Sequence, residues 1–238
     1  MESQGPPAEG PSVDGLDAFQ VAIGYHFRDI ELLRTALTHS SFVAENDGFE
    51  SYERLEFLGD AVLELLTTEI IFSLMPDATE GDMTKVRASV VDVLSLADIA
   101  RQINVGSVMY LGVGESRSGG SDRDSLLSDV VESVLGAIFI DGGIASAKHF
   151  VAAHWNDRVV SSIEATDVTD SRSLLQEHLA RTGRTVSFTY ERTGPDHAAV
   201  YRATALVNGD RVGEGSGSSK KTAAIAASAD ALNRNTSM

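Results

Sequence analysis

The spacing of apolar residues changes character once along this chain, and that change constrains the fold more than any other feature. From Leu16 to Ile163, apolar side chains recur at three- and four-residue intervals almost throughout, the period of helices with one face turned to a core. The spacing predicts helices over 16–24, 29–38, 50–73, 80–104, 124–140 and 143–163. Pro76, the Gly-Ser-Asp loop from Gly112 to Asp124, and Gly142-Gly143 interrupt them. No convincing alternation appears, so this half is expected to be all-α. Beyond the polar stretch Glu164-Ala-Thr-Asp-Val-Thr-Asp170 the pattern becomes α-β-β-β-α. A helix at 172–182 precedes strands at 185–191, 198–207 and 211–215, with Asn208-Gly209-Asp210 as a hairpin turn, and a helix at 219–233 closes the order. The expected organisation is an arm over 1–15, too rich in Pro, Gly and acids to order itself, then an all-α domain over 16–163. A linker over 164–170 and a small α+β domain over 171–238 follow.

Composition narrows the chemistry. The 238 residues include no cysteine, so disulfides, thiol nucleophiles and thiolate metal sites are excluded, and any metal must sit on oxygen or imidazole. No run approaches the roughly 18 apolar residues of a membrane span, and the N-terminus lacks the basic and apolar regions of a signal peptide, so a soluble cytoplasmic protein is expected. The net charge of −16, taken alone, argues against a polyphosphate partner. Resolved by segment, residues 1–166 carry 10 basic and 27 acidic side chains, or −17, while 167–238 carry 9 and 8, or +1. The two halves are electrostatically different objects.

The densest chemical signal is Glu53-Arg-Leu-Glu-Phe-Leu-Gly-Asp-Ala-Val-Leu63. At about 100° per residue, with Glu53 at zero, Glu56 falls near 300°, Asp60 near 340° and Glu64 near 20°, opposite an apolar stripe of Leu55, Leu58, Val62 and Leu65. A second acid pair, Asp129 and Glu132, stands at i, i+3 on an otherwise apolar helix. Either stretch alone reads most simply as a solvated helix face. Two such groups in one helical domain favour a different account. If the helices face each other, the carboxylates repel and raise one another's pKa unless a cation neutralises them. Oxygen ligands favour Mg²⁺ or Mn²⁺, and a pair of such ions suits phosphodiester displacement. The residues alone thus point to metal-dependent hydrolysis with no substrate named.

In the second half, Ser218 or Ser219 can cap a helix whose first turn carries Lys220 and Lys221, where free backbone N–H groups already favour an anion. An ordinary solvated first turn explains the same residues. The Ala-rich remainder lets the helix lie close against a sheet. Without interleaved aromatics for single-strand stacking, reading of a duplex backbone is the better expectation. The glycines of 112–114 and 213–217 match no Walker or dinucleotide fingerprint and are read as loop glycines. His39 and the other histidines lack metal-ligand spacing and read as surface or capping residues, and Trp155 as core.

The stretch Glu53–Leu63 resembles the signature of ribonuclease III, the double-strand-specific RNA endonuclease. Supporting matches are Thr38-His39-Ser40, Glu80-Gly-Asp-Met-Thr-Lys-Val-Arg87, and Asp129-Val-Val-Glu132 with Gly136 and Asp141-Gly142 after it. Leu174-Leu-Gln-Glu177 and Gly215-Ser-Gly-Ser-Ser-Lys-Lys-Thr-Ala223 resemble a double-stranded-RNA-binding domain. The resemblance implies a homodimeric nuclease domain using Mg²⁺, with Mn²⁺ as substitute. Each of its two sites would cut one RNA strand to leave a 5′-phosphate, a 3′-hydroxyl and short 3′ overhangs, in the maturation of ribosomal precursors and some messenger RNAs. Carried over by position, Glu56, Asp60, Asp129 and Glu132 are the metal-binding quartet, with Asp60 and Glu132 tied most closely to catalysis. Glu53 and Glu80 are auxiliary acids, and Phe57 is the aromatic that enters the partner subunit. Gln176, Glu177, His197, Lys220 and Lys221 are RNA contacts. Glu64 matches no catalytic position of the family. Thr222 stands where many relatives carry a third basic residue. Two other readings fit parts of the pattern. One is a non-catalytic double-stranded-RNA-binding scaffold, whose relatives lose quartet members; the other is a phosphatase or nucleotide hydrolase with an RNA-binding tail.

Overall fold

The computed structural model describes residues 12–195 and 199–235. Two compact units divide the chain, Met1–Val160 and Ser161–Met238. The first is helical: α1 (Val13–Ile23), α2 (Ile30–Ala36), α3 (Ser40–Val43), α4 (Glu53–Leu74), α5 (Glu80–Val90), α6 (Val93–Gln102), α7 (Val113–Arg117) and the start of α8 (Asp124–Ala180). Side-chain caps set most of the starts. Ser12, Asp29, His39, Thr79 and Asp92 each accept a backbone N–H of the following first turn, satisfying donors that a helix start leaves free. Gly24 at φ 67° ends α1 in the left-handed conformation that glycine adopts without steric cost.

The single helix expected over 80–104 is two. Asp92 takes extended backbone, and its carboxylate accepts Ser95 N–H at 2.7 Å, so one helix ends and another begins within an unbroken apolar pattern. The loop from 112 to 124 holds α7 and a 3₁₀ turn rather than open coil, and Gly112 is the residue just before α7. The break expected at Gly142-Gly143 is present, with Gly143 at φ 74° inside α8. The segment 164–170, expected as a linker, has helical backbone; it contains neither proline nor glycine to stop a helix. Leu63, Leu66, Val130, Val134, Leu135, Ile138 and Phe150 fill the core. Trp155 is fully buried, and its indole N–H donates to the Val90 carbonyl at 3.1 Å. Asp124–Ala165 is long and apolar enough to cross a membrane by length and composition, and half of its most apolar stretch is buried within the protein. That burial is what the central helix of a bundle requires.

In the second unit, β1 (Val186–Thr193), β2 (Val200–Val207) and β3 (Asp210–Gly217) form an antiparallel meander in the order β1-β2-β3, and α9 (Lys220–Asn235) follows. Asn208 (φ 55°) and Gly209 (φ 89°) make the expected tight hairpin between β2 and β3, both with the positive φ that a two-residue turn of this hand demands. The glycines of 213–217 are not loop residues. They lie in β3, where a Cβ on Gly213 or Gly215 would strike the backbone of α9 at Ala227 or Ala226, and one on Gly217 would strike Thr222. Alternate bare positions on the strand let the alanine face of α9 approach the sheet. Ala203, Ala205, Ala223, Ala224 and Ala227 form that interior, while Leu175, Leu179, Val207 and Ala231 form a neighbouring cluster.

Candidate functional site

Helices α4 and α8 touch at two glycines. A Cβ on Gly59 would collide with the carbonyl oxygen of Glu132, and one on Gly136 with the carbonyl oxygen of Leu55. Backbone therefore meets backbone, and residues flanking the crossing are brought together: Glu56 and Asp60 from α4, Asp129 and Glu132 from α8. Glu132 is partly buried. Burial first, then the charges of Asp60, Glu56 and Asp129, push its carboxyl up to about 8. Burial also raises Glu56, helped by Asp129, Glu53 and Asp60. Asp129 is raised by burial as well, against hydrogen bonds from Ser128 and Tyr52 and the nearby His39, which favour its charged form.

The four acids thus act on one another as charges. Even so, among the described residues no three His, Asp or Glu side chains are gathered tightly enough to form a ready-made metal cluster. The donor set is all oxygen and anionic, which fits a hard divalent cation such as Mg²⁺ or Mn²⁺, whose charge would favour the ionised form of Glu132.

The remaining acids sit differently. Glu53 is exposed one turn before Glu56 and acts on it electrostatically. Glu80 is exposed in the first turn of α5, accepts the Thr84 hydroxyl at 3.0 Å, and lines a small cleft with Thr68, Phe72 and Arg87. It is not among the charges acting on Glu56, Asp129 or Glu132. Glu64, nominated by helical geometry alone, pairs with Arg87 at 3.3 Å. Phe57 is 82% exposed and lines, with Leu32, Phe49, Leu58 and Ile140, an apolar groove of about 920 Å³.

Two features escaped the sequence. Tyr52 is 3% exposed, and its hydroxyl donates to Asp129 Oδ2 at 3.4 Å; burial and the nearby Asp129 and Glu56 charges raise its pKa. The glycine crossing was legible only as two glycines inside helical patterns, where each costs about 1 kcal/mol against alanine and so implies a packing reason.

In the second unit, Gln176 and Glu177 are exposed near the end of α8, and Lys220 and Lys221 are exposed in the first turn of α9. Ser219 caps that helix: its Oγ accepts Thr222 N–H at 3.1 Å, and Thr222 Oγ1 accepts Ser219 N–H at 3.0 Å. Thr222, the departure from a basic residue, thus completes a reciprocal cap. Lys220 Nζ stands 5.7 Å from the centre of the Tyr190 ring. His197 lies outside the described residues.

Residues 29–158 match the family described as Ribonuclease-III-like, and residues 171–235 match the double-stranded RNA binding motif. The chain is 42% identical over 223 residues to Ribonuclease 3 of Pelotomaculum thermopropionicum, covering 92% of each chain. It is 40% identical over 206 residues to Ribonuclease 3 of Anaplasma phagocytophilum, covering 86% of each. Among solved structures, a nuclease domain of ribonuclease III from Campylobacter jejuni, whose description notes a region involved in dimer formation, superimposes with a TM-score of 0.57 at 37% identity. That match covers 60% of this chain and 97% of the other.

Proposed function

The chain belongs to the ribonuclease III family and is a double-strand-specific endoribonuclease, and from that premise we propose that it cuts RNA duplexes with a divalent cation held by Glu56, Asp60, Asp129 and Glu132. The observation that carries this reading is the glycine crossing of α4 and α8, at which Glu132 is partly buried and near three other acids, so that burial first and their charges second push its carboxyl up to about 8. When bound, Mg²⁺ or Mn²⁺ supplies Lewis-acid stabilisation of charge on the phosphate and lowers the pKa of a water nucleophile. The chain's own groups do the rest. Asp60, whose charge acts most strongly on Glu132 among its acidic neighbours, forms with it the pair nearest the chemistry, and Glu132, protonated in part near pH 8 without a cation, becomes an acceptor once its neighbours' charge is neutralised. Glu53 and Glu80 assist from outside this group.

Cleavage leaves a 5′-phosphate and a 3′-hydroxyl. A homodimer in which Phe57 enters the partner's apolar groove brings two such sites to one duplex and yields short 3′ overhangs. The exposed ring and the groove beside it support that arrangement. The second unit holds the duplex. Lys220 and Lys221 meet phosphates at a helix start that already favours anions, while Gln176, Glu177 and His197 reach the minor grooves. The expected role is maturation of ribosomal precursors and some messenger RNAs in the cytoplasm. The presence of all four acids favours an active nuclease over a binding scaffold. The deciding experiment incubates a long RNA duplex with Mg²⁺ and either the wild type or Glu132→Ala. The wild type is expected to cleave and the variant to bind without cutting; equal cleavage by both would refute the assignment.

A further inference from the structure

Asp129 is held differently from its three neighbours. Among the described residues it is the one member of the four whose carboxylate accepts hydrogen bonds, from Ser128 Oγ to Oδ1 and from the Tyr52 hydroxyl to Oδ2, each at 3.4 Å. The two donors are not equivalent. Ser128 has one hydroxyl proton and a closer acceptor, the Ser125 carbonyl at 2.8 Å, and it sits beside Asp129 on the same helix. Tyr52 reaches across from the other helix, with Asp129 as the hydrogen-bond partner of its hydroxyl.

The ring is placed rigidly. It is buried and lies 5.8 Å from the His39 ring, and the Tyr52 backbone N–H donates to the Thr38 carbonyl at 2.9 Å. That segment is tied down in turn, because Thr38 bridges to Tyr110 and His39 N–H donates to the Tyr110 carbonyl at 3.0 Å. The Tyr52 carbonyl accepts the N–H groups of Leu55 at 2.8 Å and Glu56 at 2.9 Å, so the residue also opens α4. One residue therefore grips both acid pairs, starting the helix of Glu56 and Asp60 with its backbone and reaching the helix of Asp129 and Glu132 with its side chain. A phenol suits the task, since it donates one directed hydrogen bond while adding no positive charge that would compete with a cation.

We propose that Tyr52 is a positioning residue for Asp129, orienting that carboxylate across the crossing so that a divalent cation meets a ligand already in place. The inference rests on the reading of the four acids as a cation site. Tyr52, 3% exposed, is assigned this role and no contact with RNA or the reacting atoms.

The test measures Mn²⁺ binding to the full chain without RNA, by counting free Mn²⁺ with electron paramagnetic resonance, for wild type, Tyr52→Phe and Asp129→Asn. Phenylalanine keeps the ring and removes the hydroxyl. The expected result is about a tenfold rise in the Mn²⁺ dissociation constant of Tyr52→Phe, the size typical for losing a group that orients a metal ligand. Cleavage should fall at limiting Mg²⁺ and recover at saturating Mg²⁺, with thermal melting and duplex affinity unchanged. Wild-type Mn²⁺ affinity in Tyr52→Phe, beside weakened affinity in Asp129→Asn, overturns the role of Tyr52 alone. Wild-type affinity in Asp129→Asn overturns the cation site and this inference together. Loss of a cooperative melt in Tyr52→Phe makes the hydroxyl a folding element and overturns the inference as well.

Discussion

Replacing Gly59 by alanine sets two opposing effects against each other. In an isolated helix the change stabilises by about 1 kcal/mol, because alanine gives up less backbone freedom. Here the new carbon would be driven into the carbonyl oxygen of Glu132, with the Gly136 amide close behind. The obstacle is backbone, so no side-chain rotation relieves it, and α4 and α8 must part where Gly59 and Gly136 now let their backbones meet. Overpacking of a core costs about 1–3 kcal/mol, and an immovable obstacle belongs at the upper end, about 3 kcal/mol. The net effect is then about 2 kcal/mol of destabilisation, which at a denaturant slope of about 2 kcal/mol per molar lowers the urea midpoint by about 1 M. Function should suffer more. Parting the helices separates Glu56 and Asp60 from Asp129 and Glu132, and displacement of catalytic groups by about 1 Å costs on the order of 100-fold in rate. Urea titration followed by far-ultraviolet circular dichroism measures the first quantity, and initial rates on an RNA duplex measure the second. Gly114→Ala is the control, since nothing lies within 4 Å of the added carbon. A raised midpoint and intact cleavage in Gly59→Ala would show that the crossing does not set the site.

Three further outcomes follow from particular groups. Burial and its acidic neighbours raise Glu132 in the folded state, so folded protein binds more protons there than unfolded protein. Without divalent ions, stability should therefore fall as pH climbs from about 4.5 towards about 8, and Mg²⁺ should raise the melting temperature more at pH 8 than at pH 5; equal Mg²⁺ effects at both would contradict this. Asp141 has the opposite sign: burial alone would raise it, but the Arg28 and Asp29 N–H groups and the Tyr25 hydroxyl outweigh burial and hold it low. Its contribution is present above the unfolded carboxylate range and lost as pH falls through the lowered value, so Asp141→Asn should flatten the acid limb of a melting-temperature profile. Thr222→Lys removes the Thr222 Oγ1 that accepts Ser219 N–H and adds a third cation, while the bond from the residue 222 backbone N–H to Ser219 Oγ remains. It should cost about 0.5 kcal/mol in stability of the second unit, for one exposed hydrogen bond lost, and steepen the salt dependence of duplex binding by about one unit, read from binding isotherms at several salt concentrations.

The acidic stripe of α4, the acid pair of α8 and the single change of apolar period were legible because each is written in local spacing, with carboxylates at i, i+3 and i+4 on helices; which four of those acids form one set came only from the resemblance to the ribonuclease III signature. What escaped depends on contacts between segments far apart in sequence. Asp92 divides two helices by capping, yet in the sequence it is one acid in the run Val90-Val-Asp-Val-Leu94. Gly213, Gly215 and Gly217 read as loop until α9 supplies the surface that excludes a Cβ. Glu64 shares the acidic stripe of α4 and is diverted by Arg87, a partner on another helix that a helical wheel cannot contain. Tyr52 precedes the acidic motif by one residue, and its meaning comes from Asp129, distant in the chain.

The single tryptophan carries a practical consequence. Trp155 is fully enclosed in the first unit, and no other indole exists in the chain. Excited selectively, the protein emits from the helical unit alone, while the RNA-binding unit is silent in that window. An emission shift to the red therefore times the opening of the nuclease half by itself, and energy transfer from this fixed donor to a dye on an RNA end would give a ruler whose protein end is known in advance.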